Sequence, residues 1–141
     1  MAKRNHRIGR TGKIIYWIVT IFLSFGMLAG GIQQVLQIGG YTEIIEQLGY
    51  PQYLLSILGV WKILGVIAIL IPKFPLLKEW GYAGFFFAMS GAAISHFAVG
   101  QPFIEAMPSL VLIFVIILSW YFRPESRKII SLSNKLVNGK S

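Results

Sequence analysis

The sequence predicts an all-α protein, an integral membrane antiparallel four-helix bundle with its N and C termini cytoplasmic. Three observations carry that expectation. The 141 residues are 55% hydrophobic with a mean hydropathy of +0.67, above the balance of an ordinary soluble domain. Four apolar stretches each approach the roughly 20 residues that cross a hydrocarbon core of about 30 Å. Twelve of the thirteen Lys and Arg lie in the tails or in one central turn, so the net charge of +8 reads as a topology signal.

Residues 1–13 form a basic arm. The first span, 14–38, is about twice as long as a signal-peptide apolar core, which predicts a retained anchor. Within it Gly26 and Gly30 form a pair of small residues suited to close helix approach, and the same face continues outward to Gln33, Gln34 and Gln37. Gly39-Gly40 interrupts the helix. Residues 41–49 then read as a short interfacial helix, with Thr42 as N-cap, Glu43 in the first turn and Gly49 closing it before Pro51.

The second span, 53–71, sets Ser56, Gly59, Lys62 and Gly65 at intervals of three, a narrow stripe that must face protein on an otherwise apolar cylinder. Pro72 and Pro75 bound a tight turn, which makes the second and third spans antiparallel neighbours. Glu79 is expected to open the third helix and to pair with Lys73 or Lys78. The third span, 80–99, carries Gly84, Ala88, Ala92 and His96 on one side. The fourth, 103–122, holds Glu105, Pro108 and Ser109 near its outer end and finishes at Trp120, Tyr121 and Phe122, an interfacial belt followed by Arg123. The basic tail, 123–141, has the spacing of a surface helix using Ile129, Leu132, Leu136 and Val137.

The connections near Tyr41 and Gln101 contain no Lys or Arg, whereas the arm, the turn at Pro72 to Lys78 and the tail are basic. The positive-inside rule therefore places the first two outside and the other three in the cytoplasm. Anionic lipid headgroups account for the basic tails, and no nucleic-acid partner is expected. Cysteine is absent, which excludes disulfides, thiolate metal sites and thiol relay chemistry.

Lys62 is the residue to explain. It is the tenth of the 19 residues in its span, the deepest position a bilayer offers, where a lysine costs roughly 2.5–3.5 kcal/mol on insertion scales. With a rise of about 1.5 Å per residue, Lys62 and Ser90 fall near the midplane, while His96, Glu105 and Gln33 fall about 10 Å toward the outside. The expectation is a cavity in the outer half. Lys62 and Ser90 floor it, His96, Glu105, Gln33 and Gln34 form its walls, and Trp61 stands beside the lysine. Snorkelling would bring the amine toward Glu105 or His96. His96 lacks a second strong nitrogen ligand, so no metal or haem site is expected, and no residue is assigned a catalytic role.

The stretch from Gly59 to His96 reads GVWKILG, then P-x-x-P-x-x-KEWGYAG, then SGAAISH. Through Trp61, Lys62, Gly65, Lys78, Glu79, Trp80, Tyr82, Ala83, Gly84, Gly91, Ala92, Ser95 and His96 it resembles the DoxX-like family of small four-helix membrane proteins. The resemblance implies a single domain over 1–141, multi-pass in the prokaryotic cytoplasmic (inner) membrane. It carries a wider association with quinol oxidase and thiosulfate:quinone oxidoreductase subunits, and many members have no assigned reaction.

Three functions stay open on the sequence alone. The first is a ligand-binding or redox-accessory protein, more a subunit than an enzyme on its own, whose Lys62 cavity takes a quinone-like or anionic head. The second is a small oligomeric transporter or exporter, which at this length needs a homodimer. The third is a non-catalytic assembly factor docked in a larger membrane complex. Membrane lipid is a partner in all three.

Overall fold

The computed structural model describes residues 9–124, 127–128 and 136–139. Among them the chain is all-helical: α1 (Arg10–Leu36), α2 (Tyr41–Gln47), α3 (Tyr53–Leu70), α4 (Pro75–Ala98) and α5 (Phe103–Tyr121). Most of the N-terminal arm, and Ile129 and Leu132 of the expected surface helix, lie outside the described residues.

The helix ends follow from local chemistry. Gln37 takes a left-handed conformation after α1, and the amides of Gln37 and Ile38 turn back onto the carbonyls of Gln34 and Gln33, so the last turn leaves few orphan acceptors. Gly39 and Gly40 follow at φ of 73° and 80°, a backbone that residues with a Cβ adopt only under strain. Gly40 is therefore the N-cap of α2. Thr42, expected in that role, lies inside the helix with its hydroxyl directed back to the Gln37 carbonyl. α3 stops because Ile71 precedes Pro72 and is pushed into an extended conformation.

α4 begins at Pro75, five residues before the predicted start, because proline suits the first helical position. That shift moves two expected contacts. Lys78 is not a turn residue but is buried to 1% exposure, and Glu79 faces α5, where it pairs with Arg123 and accepts from Trp120 Nε1 at 2.9 Å rather than meeting Lys73 or Lys78.

Three helices, α1, α3 and α5, are long and apolar enough to cross a membrane. α4 has the length, 24 residues, but its glycines, serines, Tyr82 and His96 keep it outside that set. α1 packs on α3 and α5, α4 packs on the same two, and α2 rests on α3. The α1–α3 crossing is close: a Cβ added to Gly59 would stand 2.6 Å from the Gly31 carbonyl oxygen. Gly31 and Gly30 supply the small face of α1. Gly26, expected to share it, is exposed and a Cβ there would meet nothing within 4 Å, since the buried side of α1 runs through Leu23, Met27 and Gly30, centred about 70° away around the helix.

A cluster of Leu23, Met27, Val66, Ile69, Phe85, Met89, Val115 and Ile116 fills the middle of the molecule. The outward faces carry Ile18, Ile21, Phe22, Phe25, Ile67, Phe87, Ile94 and Phe114, all exposed. A continuous apolar sheath of that extent suits hydrocarbon rather than water. Below the central cluster, Thr20, Ser119 and Tyr82 join three helices through hydroxyl bonds of 2.6 Å and 2.7 Å. Arg127 donates to the carbonyls of Ile69 and Leu70 at 3.2 Å each, capping α3, and its guanidinium lies 5.0 Å from the Trp17 ring centroid.

Candidate functional site

Above the central cluster the helices diverge and leave a cleft of about 610 Å³ roofed by α2. α1 contributes Gln33 and Gln34, α3 contributes Lys62, α4 contributes His96, and α5 contributes Glu105 and Ser109. Ser90 and Trp61 do not line it. The Ser90 hydroxyl donates to the Phe87 carbonyl of its own helix at 3.1 Å, and Trp61 is exposed in a groove on the other side of α3.

Lys62 sits where α1 is thinnest. A Cβ built on Gly30 would come 3.1 Å from the Tyr41 hydroxyl and 3.9 Å from Lys62 Nζ, so the missing side chain makes the space both groups occupy. Lys62 Nζ lies 5.8 Å from the centroid of the Tyr41 ring, on whose negative face a cation is attracted. Of the hydrogen bond or water bridge expected between Lys62 and Glu105 or His96, the direct bond is not formed among the described residues. The His96 Nδ1–H instead donates to the amide oxygen of Gln101, and Glu105 stands exposed on the wall. The cause is local: after α4 the chain turns at Gly100, φ 73°, with the Gln101 amide bonded back to the His96 carbonyl, which brings the Gln101 side chain to the imidazole.

One polar atom in the cleft is an orphan. Gln34 is buried, and its Oε1 has no hydrogen-bond partner. A buried acceptor left unmade costs about 1–3 kcal/mol, and Gln34 stands on the cleft wall with Lys62, whose amine makes no ion pair among the described residues.

The roof is tied down by polar contacts around α2 and the turn after α4. Tyr50 and Ser95 share a hydroxyl bond of 2.8 Å, Gln52 donates to Glu46 at 2.7 Å, and Gln101 Nε2 donates to Gln47 at 3.3 Å. Burial raises the Tyr41 phenol above its usual range, so its hydroxyl stays a neutral donor. Tyr41, Tyr50 and Gln101 were not singled out from sequence. The available signal was a pair of tyrosines bracketing a short helix, which reads equally well as an interfacial aromatic belt. Among the described residues no group of His, Asp and Glu could hold a metal ion.

Comparison with known proteins adds one positive finding. A family model described as the DoxX-like family matches residues 18–118, which includes every helix in full or in large part. Neither a curated protein nor a solved structure matches the chain.

Proposed function

We propose the following reading for this chain, which belongs to the DoxX-like family: a multi-pass protein of the prokaryotic inner membrane that holds a small quinone-like or anionic ligand in its outer cleft, as an accessory to redox chemistry carried out elsewhere. In this reading α1, α3, α4 and α5 are the four spans of an antiparallel bundle, both termini are cytoplasmic, and the cleft opens to the outer side. The basic residues of the arm, the Pro72 to Lys78 turn and the tail support that orientation.

The observation that carries the reading is Lys62, an ammonium on the wall of a 610 Å³ cleft with no carboxylate against it among the described residues. A cation at this depth is costly unless something offsets it. A quinone carbonyl or a carboxylate accepts from the amine.

Equilibrium binding of a tail-free benzoquinone and of butanoate to the protein in lipid nanodiscs tests this. Saturable binding of either, weakened about tenfold or more in Lys62→Met, is the expected result. Equal affinity in the two proteins, or no saturable binding of either probe, overturns it. Reduced abundance of Lys62→Met with unchanged affinity would favour the assembly-factor reading instead.

A further inference from the structure

The outer cleft is not the only space that Lys62 borders. A second, apolar groove of about 320 Å³ runs between α3 and α4 on the face opposite α1, and Leu58, Lys62 and Ala88 line both. Below that junction Gly65 and Gly81 let α3 and α4 pack closely, with Phe85 and Ile69 against them, while Gly84 faces open space in the groove, and Trp61 and Trp80 stand along it. Its only charged lining residue is Lys62, at the end shared with the cleft.

We infer that cleft and groove form one continuous site for a single-chain amphiphile, its polar head at Lys62 in the cleft and its alkyl tail in the trough between α3 and α4. The inference rests on the reading of the cleft given above and names the class of ligand it takes. Two features distinguish this from ordinary lipid contact with an outer helix face. The trough is a concavity rather than a ridge of side chains, and its polar end holds an unpaired ammonium where a lipid-facing surface carries none. A tail laid there removes the apolar walls formed by Leu64, Ala68, Leu77 and Phe85 from contact with mobile lipid. It also lets a ligand enter sideways from the bilayer, since both spaces are open.

Gly84 gives a clean test. A Cβ there meets nothing within 4 Å and Gly84 does not line the cleft, so Gly84→Leu extends a side chain into the trough from a position free of backbone clash. Dodecanoate and butanoate share one head, and their affinities are compared in wild type, Gly84→Leu and Lys62→Met in nanodiscs. The expected pattern is dodecanoate at least about tenfold tighter than butanoate in wild type, an advantage lost in Gly84→Leu while butanoate binding is unchanged. Butanoate binding with no tail advantage, or a tail advantage that survives Gly84→Leu, overturns this inference and leaves the cleft reading standing. Failure of both probes to bind saturably overturns this inference, and the cleft reading falls with it when the tail-free benzoquinone also fails to bind.

A second measurement guards against altered folding in the variant. Brominated dodecanoate should quench tryptophan fluorescence saturably through Trp61 and Trp80, and unlabelled dodecanoate should reverse it. Non-saturable quenching that is the same in Lys62→Met means annular contact only, and refutes the site.

Discussion

The amine of Lys62 and the ring of Tyr41 meet across the roof of the outer cleft, 5.8 Å from nitrogen to centroid. A cation–π contact is worth about 0.5–2 kcal/mol, against roughly 2.5–3.5 kcal/mol for a lysine in the middle of a span. Tyr41 offsets part of that cost and leaves the remainder to water or to a bound head. Removing the ring should therefore expose the amine. Tyr41→Leu is expected to speed acylation of Lys62 by a water-soluble reagent added from the outer side, read by mass spectrometry of the modified peptide. Unchanged labelling would show that Tyr41 does not cover it.

The α1–α3 crossing gives a contrast between two glycines. Gly59→Ala puts a methyl group 2.6 Å from the Gly31 carbonyl oxygen, and overpacking of this kind costs about 1–3 kcal/mol. Gly26→Ala adds a methyl to open space and removes the flexibility of a helical glycine, so it should be neutral or stabilising by up to about 1 kcal/mol. Unfolding midpoints in detergent should move apart accordingly, and a Gly59→Ala midpoint equal to wild type would contradict the close crossing.

Ser119 joins Thr20 to Tyr82 in the interior of the bundle. Ser119→Ala leaves two buried hydroxyls without that partner, at a cost of about 1–3 kcal/mol. The double variant Thr20→Val with Ser119→Ala should lose less than the sum of the single variants, because the second change removes a group the first has already orphaned. Strict additivity in a double-mutant cycle would show the hydroxyls to be independent.

Glu79 is the carboxylate that meets Arg123, whose side chain is only 5% exposed, and Glu79 itself is 28% exposed. Glu79→Gln keeps the shape and removes the charge, and losing a charge-assisted bond of this partly solvated kind should lower stability by about 1–3 kcal/mol. The loss should shrink in high salt, since screening weakens the wild-type pair. A salt-independent difference would assign the effect to packing.

The orientation of the bundle can be read chemically because the chain has no cysteine. Single substitutions Gln101→Cys and Lys73→Cys, each in a turn, should react with a membrane-impermeant maleimide from opposite sides of intact cells, Gln101→Cys from outside and Lys73→Cys only after permeabilisation. The reverse pattern would invert the topology.

The helices themselves were legible, and for one reason: apolar runs bounded by Gly-Gly, Pro and basic clusters are punctuated by backbone chemistry that acts locally. The faces were less so. Gly26 and Gly30 satisfy a spacing that two helical faces share almost equally, and only the partner helix decides between them. Lys78 looks like a turn residue because it follows two prolines, yet Pro75 starts the helix and carries Lys78 into the interior. Depth along the membrane normal follows from counting residues, and it brought Gln33, Gln34, Lys62, His96 and Glu105 to neighbouring heights. Which of them bond to one another depends on rotamers and on the turn after α4, where Gln101 takes the His96 ring. Ser90 shows the limit of height as a guide, since it lies at the right level and turns its hydroxyl onto its own backbone.

The central cluster of Leu23, Met27, Phe85 and Met89 has a consequence for bioenergetics. The Lys62 cleft lies on one side of it, and the Thr20–Ser119–Tyr82 hydroxyls meet on the other, where the Tyr82 ring is itself part of the cluster. In the membrane-spanning reading proposed above, this packed layer is expected to interrupt any file of water between the two sides, so that a proton gradient is not dissipated through the bundle.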